Sequence, residues 1–91
     1  MVTYSVKLTY YVDFSQSLKE KRAYKRKIVD RIRHRFNVCI IEVDNLEHHK
    51  KLTLGLAVVA ITETRAQNVM AEIIRTINRN IDADLIEKEI Q

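Results

Sequence analysis

Proline and tryptophan are absent from this 91-residue chain, which has one glycine and one cysteine. A single cysteine cannot form an internal disulfide, and a single glycine cannot build the glycine-rich loop that holds nucleotide phosphates. The longest run without a charged residue is the eleven residues 52–62, which is too short to span a bilayer. The absence of proline also leaves no linker-like segment. We therefore expect one soluble domain, residues 1–91, in the cytoplasm.

Two periodicities alternate along the chain. Apolar residues occupy every even position of residues 2–12, and this period of two predicts a strand with one solvent-facing side. Ser17 and Glu20 have the spacing of a helix capping box, and an apolar stripe at helical spacing follows to about residue 37. Further strands are predicted at residues 38–44, 52–62 and 83–90, and a second helix is predicted to start at Thr62 or Thr64.

The resulting order, β-α-β-β-α-β, predicts an α+β protein with a ferredoxin-like fold. In that fold a four-stranded antiparallel sheet carries two helices on one face. The first and third strands should be central, and the last strand should lie at an edge. Gly55, the only glycine, interrupts the third strand, where it predicts a bulge or a close backbone approach.

Positive charge is concentrated in the first predicted helix. Nine of the sixteen Lys and Arg residues lie within residues 19–35, where Glu20 and Asp30 are the only acids. Nine cations less two acids give this helix +7, whereas the whole chain carries +4, so the remainder is −3. Such a one-sided helix attracts phosphate more strongly than a solvated helix of mixed sign.

The first turns of this helix predict an anion-binding site. Lys25 lies near the middle of the apolar stripe with Lys21 and Arg22 at its margins, and a helix N-terminus itself favours anions. We predict that these three cations and Ser17 form the site. Five further cations would extend a nucleic-acid footprint: Lys19, Arg26, Lys27, Arg33 and Arg35. The alternative is a solvated helix whose first turns pair with acids such as Glu42 or Asp44.

The predicted partner is structured RNA, for example a ribosomal particle, contacted through its phosphates. A membrane is not expected, because a membrane-surface helix needs an exposed apolar face and this face is needed for the core. Among the outward positions of the first and third strands only Tyr11 could stack on a base, which disfavours base recognition by the sheet. DNA stays open as an alternative to RNA.

The open sheet face predicts a second kind of contact. If Cys39, Ile41 and Val43 face the helices, an apolar patch remains on the open face, and apolar patches often mark partner surfaces. Its members would be Val38, Ile40, Ala57, Val59 and Ile61. This patch predicts a homodimer, or a protein-interaction module more generally. The opposite register of the second strand is the alternative, which the pattern does not exclude.

No arrangement typical of catalysis or metal binding is present in the sequence. His48 and His49 are adjacent in the predicted hairpin and lack the spacing of a structural zinc site, and Cys39 has no companion cysteine. We therefore expect no enzyme activity, no metal and no cofactor, and we identify no small-molecule substrate. An enzyme acting on a small phosphorylated compound is the weakest functional alternative.

Four short segments resemble the YlxP-like family of small bacterial proteins: Ser17-Leu-Lys-Glu-Lys-Arg22, Arg35-Phe-Asn-Val38, Glu42-Val-Asp44 and Leu54-Gly-Leu-Ala57. The resemblance covers about residues 2–90 and implies a ferredoxin-like fold in a cytoplasmic protein of largely uncharacterised function. Family genes often lie among those for transcription termination, translation initiation and ribosome maturation, which implies a role near the ribosome. The hairpin Glu47-His-His-Lys-Lys51 and the basic residues 25–27 depart from the family pattern.

Overall fold

The predicted order of elements is confirmed by the structure, a computed structural model that describes all residues 1–91. The elements are β1 Val2–Tyr11, α1 Leu18–Arg35, β2 Cys39–Asp44, β3 Lys51–Ala60, α2 Glu63–Arg79 and β4 Asp84–Ile90. The four strands form one open antiparallel sheet in the order β2-β3-β1-β4, so β1 and β3 are central as expected. The protein thus has a ferredoxin-like α+β fold, with both helices on one face of the sheet.

The core lies between this sheet face and the helices. Alternation along β1 and β3 turns one set of side chains towards the helices. These buried residues are Val6, Leu8, Tyr10, Leu52, Leu54, Leu56 and Val58. Ile28, Val29 and Ile32 of α1 and Ala66, Met70, Ile73 and Ile77 of α2 pack against them. No helix is both long enough and apolar enough to cross a membrane.

Side-chain caps fix where both helices begin. The Glu20 amide donates to Ser17 Oγ at 3.1 Å, and the Arg65 amide donates to Thr62 Oγ1 at 3.3 Å. The capping residues proposed from sequence are therefore confirmed. Helix α1 ends at Arg35, two residues before the predicted end, because Phe36 adopts an extended backbone conformation.

Gly55 is a point of close approach, as expected. A Cβ atom on Gly55 would lie 2.6 Å from Cγ1 of Val43, a separation that side chains do not tolerate. The β2–β3 register shifts between Glu42 and Asp44, so Val43 is the extra residue of a bulge and leans over the glycine.

The register of β2 is opposite to the one assumed for the interface prediction. Ile40 is fully buried under the helices, whereas Cys39, Ile41 and Val43 are exposed on the open face. Cys39, Ile41 and Val43 form the wholly apolar phase of residues 38–44, whereas the other phase includes Glu42 and Asp44, so the alternation favoured the wrong register. In the observed register Glu42 faces α1, where its carboxylate lies beside the buried Lys21.

Candidate nucleic-acid interface

The N-terminus of α1 is closed by the chain's own groups. Ser17 Oγ accepts from the Glu20 amide, and the Glu20 carboxylate in turn accepts from the Gln16 amide at 3.1 Å. An incoming anion would compete with this carboxylate at the positive end of the helix dipole. Ser17 therefore acts as a cap in this structure, and the end of the helix is not an empty anion site.

Lys21 is a buried structural residue, so the prediction that it binds an external anion is wrong. Its side chain has no exposed surface, and Nζ lies 2.8 Å from Oε2 of Glu42, whose side chain is 7% exposed. Nζ also donates to the main-chain oxygens of Asn45, Leu46 and Lys51 at 2.8, 3.3 and 3.2 Å. The lysine thereby ties α1 to the β2–β3 hairpin.

The carboxylate of Glu42 faces this ammonium as its counter-charge. Oε2 of Glu42 is as close to Nζ as the nearest of the three carbonyls, so four acceptors surround the three ammonium protons. Lys25 Nζ lies 3.9 Å from Oε1 of the same carboxylate and is 31% exposed, so it adds a second cation. Lys25 is thus shared between Glu42 and solvent.

Two cations near the end of α1 are partly engaged. Arg33 donates from Nη2 to the carbonyl oxygen of Ile40 at 2.8 Å, which covers part of edge strand β2. Arg35 lies 3.9 Å from Oε1 of Glu72, and its guanidinium is 5.3 Å from the centre of the Phe36 ring. Both side chains are exposed, so they can add to a positive surface, although each already has an intramolecular contact.

The remaining predicted cations form a surface that we call the basic ridge: Lys19, Arg22, Arg26 and Lys27. All four are exposed, and none has a carboxylate oxygen within 4.0 Å. They lie outside the buried stripe of α1, which holds Ile28 and Ile32 against the sheet, and Lys27 also borders a cleft between α1 and α2. The ridge therefore presents four uncompensated positive charges to solvent.

The open sheet face carries an apolar surface that we call the sheet patch: Cys39, Ile41, Val43, Ala57, Val59 and Ile61. Val59 and Ile61 are 62% and 73% exposed, and Ile41 and Val43 are 52% and 42% exposed. The assignment of Ile40 to this patch is wrong because its side chain lies in the core. Val38 is half-buried and also packs against the core. Ala57, Val59 and Ile61 lie on the open side, as predicted.

Asn45 is a structurally important residue that the sequence reasoning missed. It has a positive φ of 56°, in the left-handed region that asparagine tolerates better than most residues. Its side-chain amide donates to Thr53 Oγ1 at 2.8 Å, while its carbonyl accepts from Lys21. An Asp-Asn pair at the end of a strand is a typical turn signal and could have identified Asn45.

The histidine pair lies at the tip of the β2–β3 hairpin. His48 Nδ1 accepts from the Lys50 amide at 3.2 Å, and the two rings are 6.3 Å apart. No group of three or more His, Cys, Asp or Glu side chains is arranged to hold a metal ion.

These features define a small ferredoxin-like domain with a basic helix on one side and an apolar sheet surface on the other. The model of a protein family of unknown function, DUF503, matches residues 3–90, and the chain belongs to this family. It is 38% identical over 73 residues to the uncharacterized protein YlxP of Bacillus subtilis (strain 168). That alignment covers 69% of this chain and 79% of the relative. The family suggested by the sequence motifs is thereby confirmed.

Proposed function

We propose that this protein is a non-catalytic accessory factor that binds structured RNA through the basic ridge and associates with ribosomal particles in the cytoplasm. The observation that supports this most is the set of four exposed cations on α1 without carboxylate partners. Arg33 and Arg35, which are exposed further along α1, extend the same positive helix.

The length of the helix suits a backbone-contacting role. Lys19 and Arg26 are seven residues apart, or about 10 Å at 1.5 Å per residue, and Arg33 lies the same distance further on. A positive surface about 20 Å long can meet several phosphates of a folded RNA. The three negative charges in excess on the rest of the chain leave α1 as the surface that attracts a polyanion.

The sheet does not offer the alternative, base-stacking mode of RNA recognition. On the open side of the central strands Thr9 and Thr53 are buried, with hydroxyl oxygens 3.0 Å apart, and by alternation Tyr11 is the only aromatic residue on that side. Recognition motifs of this fold that read bases use aromatic residues at such positions. Binding through α1 should therefore depend on phosphate and shape, with little dependence on sequence.

The test is fluorescence anisotropy of a labelled RNA duplex over a salt series, with the same sequence as DNA and as a single strand. If each cation of the basic ridge contacts one phosphate, the logarithm of the RNA-binding constant should fall with the logarithm of the salt concentration with a slope of about −3.6. This slope corresponds to about a 150-fold loss of affinity between 50 and 200 mM salt. The ridge variant R22Q/R26Q should reduce the slope to about −1.8. The control variant R65Q/R79Q removes the same charge from exposed arginines of α2 and should keep the wild-type slope.

Equal slopes for the ridge variant and the control variant would contradict binding through α1, and no binding at low salt would contradict RNA binding altogether. If DNA is bound as tightly as RNA, the proposed partner becomes nucleic acid in general and is no longer structured RNA. Preference for the single strand would contradict recognition of a folded shape.

A homodimer formed through the sheet patch is the second candidate role, and the exposure of Ile41, Val59 and Ile61 favours it. Sedimentation velocity over a range of concentrations should then show dimers. V59D should shift the protein to monomer, because the dimer interface would bury a carboxylate that has no partner, which is unfavourable. Val69 of α2 is 39% exposed and away from this face, so V69D is the matched control. A wild-type protein that stays monomeric at every concentration would rule out the dimer.

A further inference from the structure

A cleft lies between α1 and α2, and it shares Lys27 with the basic ridge. Its floor is apolar and consists of Ile28, Ile32 and Ile77, and its volume is about 100 Å³. It is open to solvent on the side where α1 carries Lys27 and Arg31. The cleft lies on the helix side of the molecule, so it is separate from the sheet patch.

Three hydrogen-bond donors surround the mouth of this cleft. Lys27 and Arg31 are exposed, and neither has a carboxylate oxygen within 4.0 Å. Arg31 uses one guanidinium nitrogen to donate to Oδ1 of Asn80 at 2.7 Å, which leaves its other N–H groups free and holds the side chain across the gap between the helices. The Tyr24 hydroxyl accepts from the Asp82 amide at 2.7 Å, so its own proton is available.

The charge at the mouth is positive overall. Asp82 lies beside Tyr24 and contributes one negative charge against the two positive charges of Lys27 and Arg31. Burial raises the pKa of the Tyr24 hydroxyl above its ordinary value, so this group stays a protonated donor at neutral pH. An apolar floor with a few converging polar groups is the usual composition of a small-molecule site.

We propose that the cleft between α1 and α2 binds a small organic acid, with its carboxylate at Lys27, Arg31 and Tyr24 and its alkyl group on the isoleucine floor. The volume limits the alkyl group, since an apolar cavity of about 150 Å³ holds benzene and this cleft has about two thirds of that space. A branched group of about four carbons fits this limit. The proposal does not rest on RNA binding.

The experiment is an NMR titration of the isoleucine-methyl-labelled protein with 3-methylbutanoate. We expect saturable shifts confined to the methyl groups of Ile28, Ile32 and Ile77, with a Kd on the order of 1–10 mM for so small a ligand. The uncharged isostere 3-methylbutanamide and the short acid acetate should each bind at least about tenfold more weakly, since each lacks one half of the interaction.

The variants K27Q and R31Q should each weaken 3-methylbutanoate binding about tenfold, the loss of one charge-assisted contact. R26Q is the matched control, because Arg26 is an exposed cation of the same helix that does not line the cleft. Wild-type methyl dispersion in each variant shows that the fold is kept.

Absence of saturable methyl shifts would overturn the proposal. Equal affinity for the acid and the amide would do so too, as would equal effects of K27Q and R26Q. Because these outcomes are measured without RNA, they are independent of the anisotropy results.

Discussion

Replacement of Lys21 by methionine should destabilise the protein strongly although the substitution adds no bulk. The change removes the ammonium that lies 2.8 Å from Glu42 and donates to three main-chain oxygens. A carboxylate with 7% exposure is then left without its principal counter-charge. Breaking a buried ion pair from one side typically costs about 3–5 kcal/mol. For a domain of this size the total free energy of unfolding is about 5–14 kcal/mol, so K21M should be severe.

Urea denaturation followed by circular dichroism measures this loss. With a slope of about 1 kcal/mol/M, the midpoint of K21M should fall by about 3 M or more. Lys19, two residues earlier, is exposed and has no carboxylate partner, so K19M is the matched control and should change stability by less than about 0.5 kcal/mol.

The double variant K21M/E42L distinguishes the ion pair from simple loss of packing. Replacing both charges by apolar side chains removes the uncompensated carboxylate, so part of the stability should return. We expect a coupling free energy of about 1.5–3 kcal/mol between the two sites. A loss below about 1 kcal/mol in K21M, or additive effects in the double variant, would refute the structural role of Lys21.

Two further predictions concern the sheet. Burial raises the pKa of Tyr10 and Tyr24 adds to the shift, so the folded state holds this proton more tightly than the unfolded state does. The resulting stabilisation of the folded state is complete at a pH below the ordinary tyrosine pKa of about 10. It is lost as the pH rises further, by about 1.4 kcal/mol at pH 11. When urea denaturation is compared at pH 8 and pH 11, Y10F should not show this loss of stability. A pH dependence of stability identical to that of the wild-type protein would contradict the assignment of the loss to Tyr10. G55A should cost about 1 kcal/mol because its Cβ meets Val43, whereas in a V43A background the same change should be neutral or stabilising. A cost that persists in V43A would contradict that contact as the cause.

The fold was predictable because its signals are local. Alternation in β1 and the apolar stripe of α1 each identify an element and its buried side, and Ser17 and Thr62 mark where the helices start. The order of these elements then leaves few topologies. The register of β2 was not predictable in this way, since its wholly apolar phase, which includes Ile41 and Val43, is the exposed one and the buried phase contains Glu42.

The site was only partly predictable because its cations are sorted by tertiary contacts. Sequence position places Lys21 and Arg22 side by side, but the first is buried against Glu42 and the second is exposed. What separates them is the hairpin, whose carbonyls at Asn45, Leu46 and Lys51 reach only Lys21. The pairing of the first turns with Glu42 had been the alternative interpretation, and it holds for this part of the helix.

Co-sedimentation with purified ribosomal particles tests the central proposal most directly. The wild-type protein and the control variant R65Q/R79Q should pellet with the particles at low salt and be released at high salt, and the ridge variant R22Q/R26Q should remain mostly in the supernatant. A wild-type protein that stays in the supernatant at low salt, or a ridge variant that pellets as well as the control, would contradict the proposal.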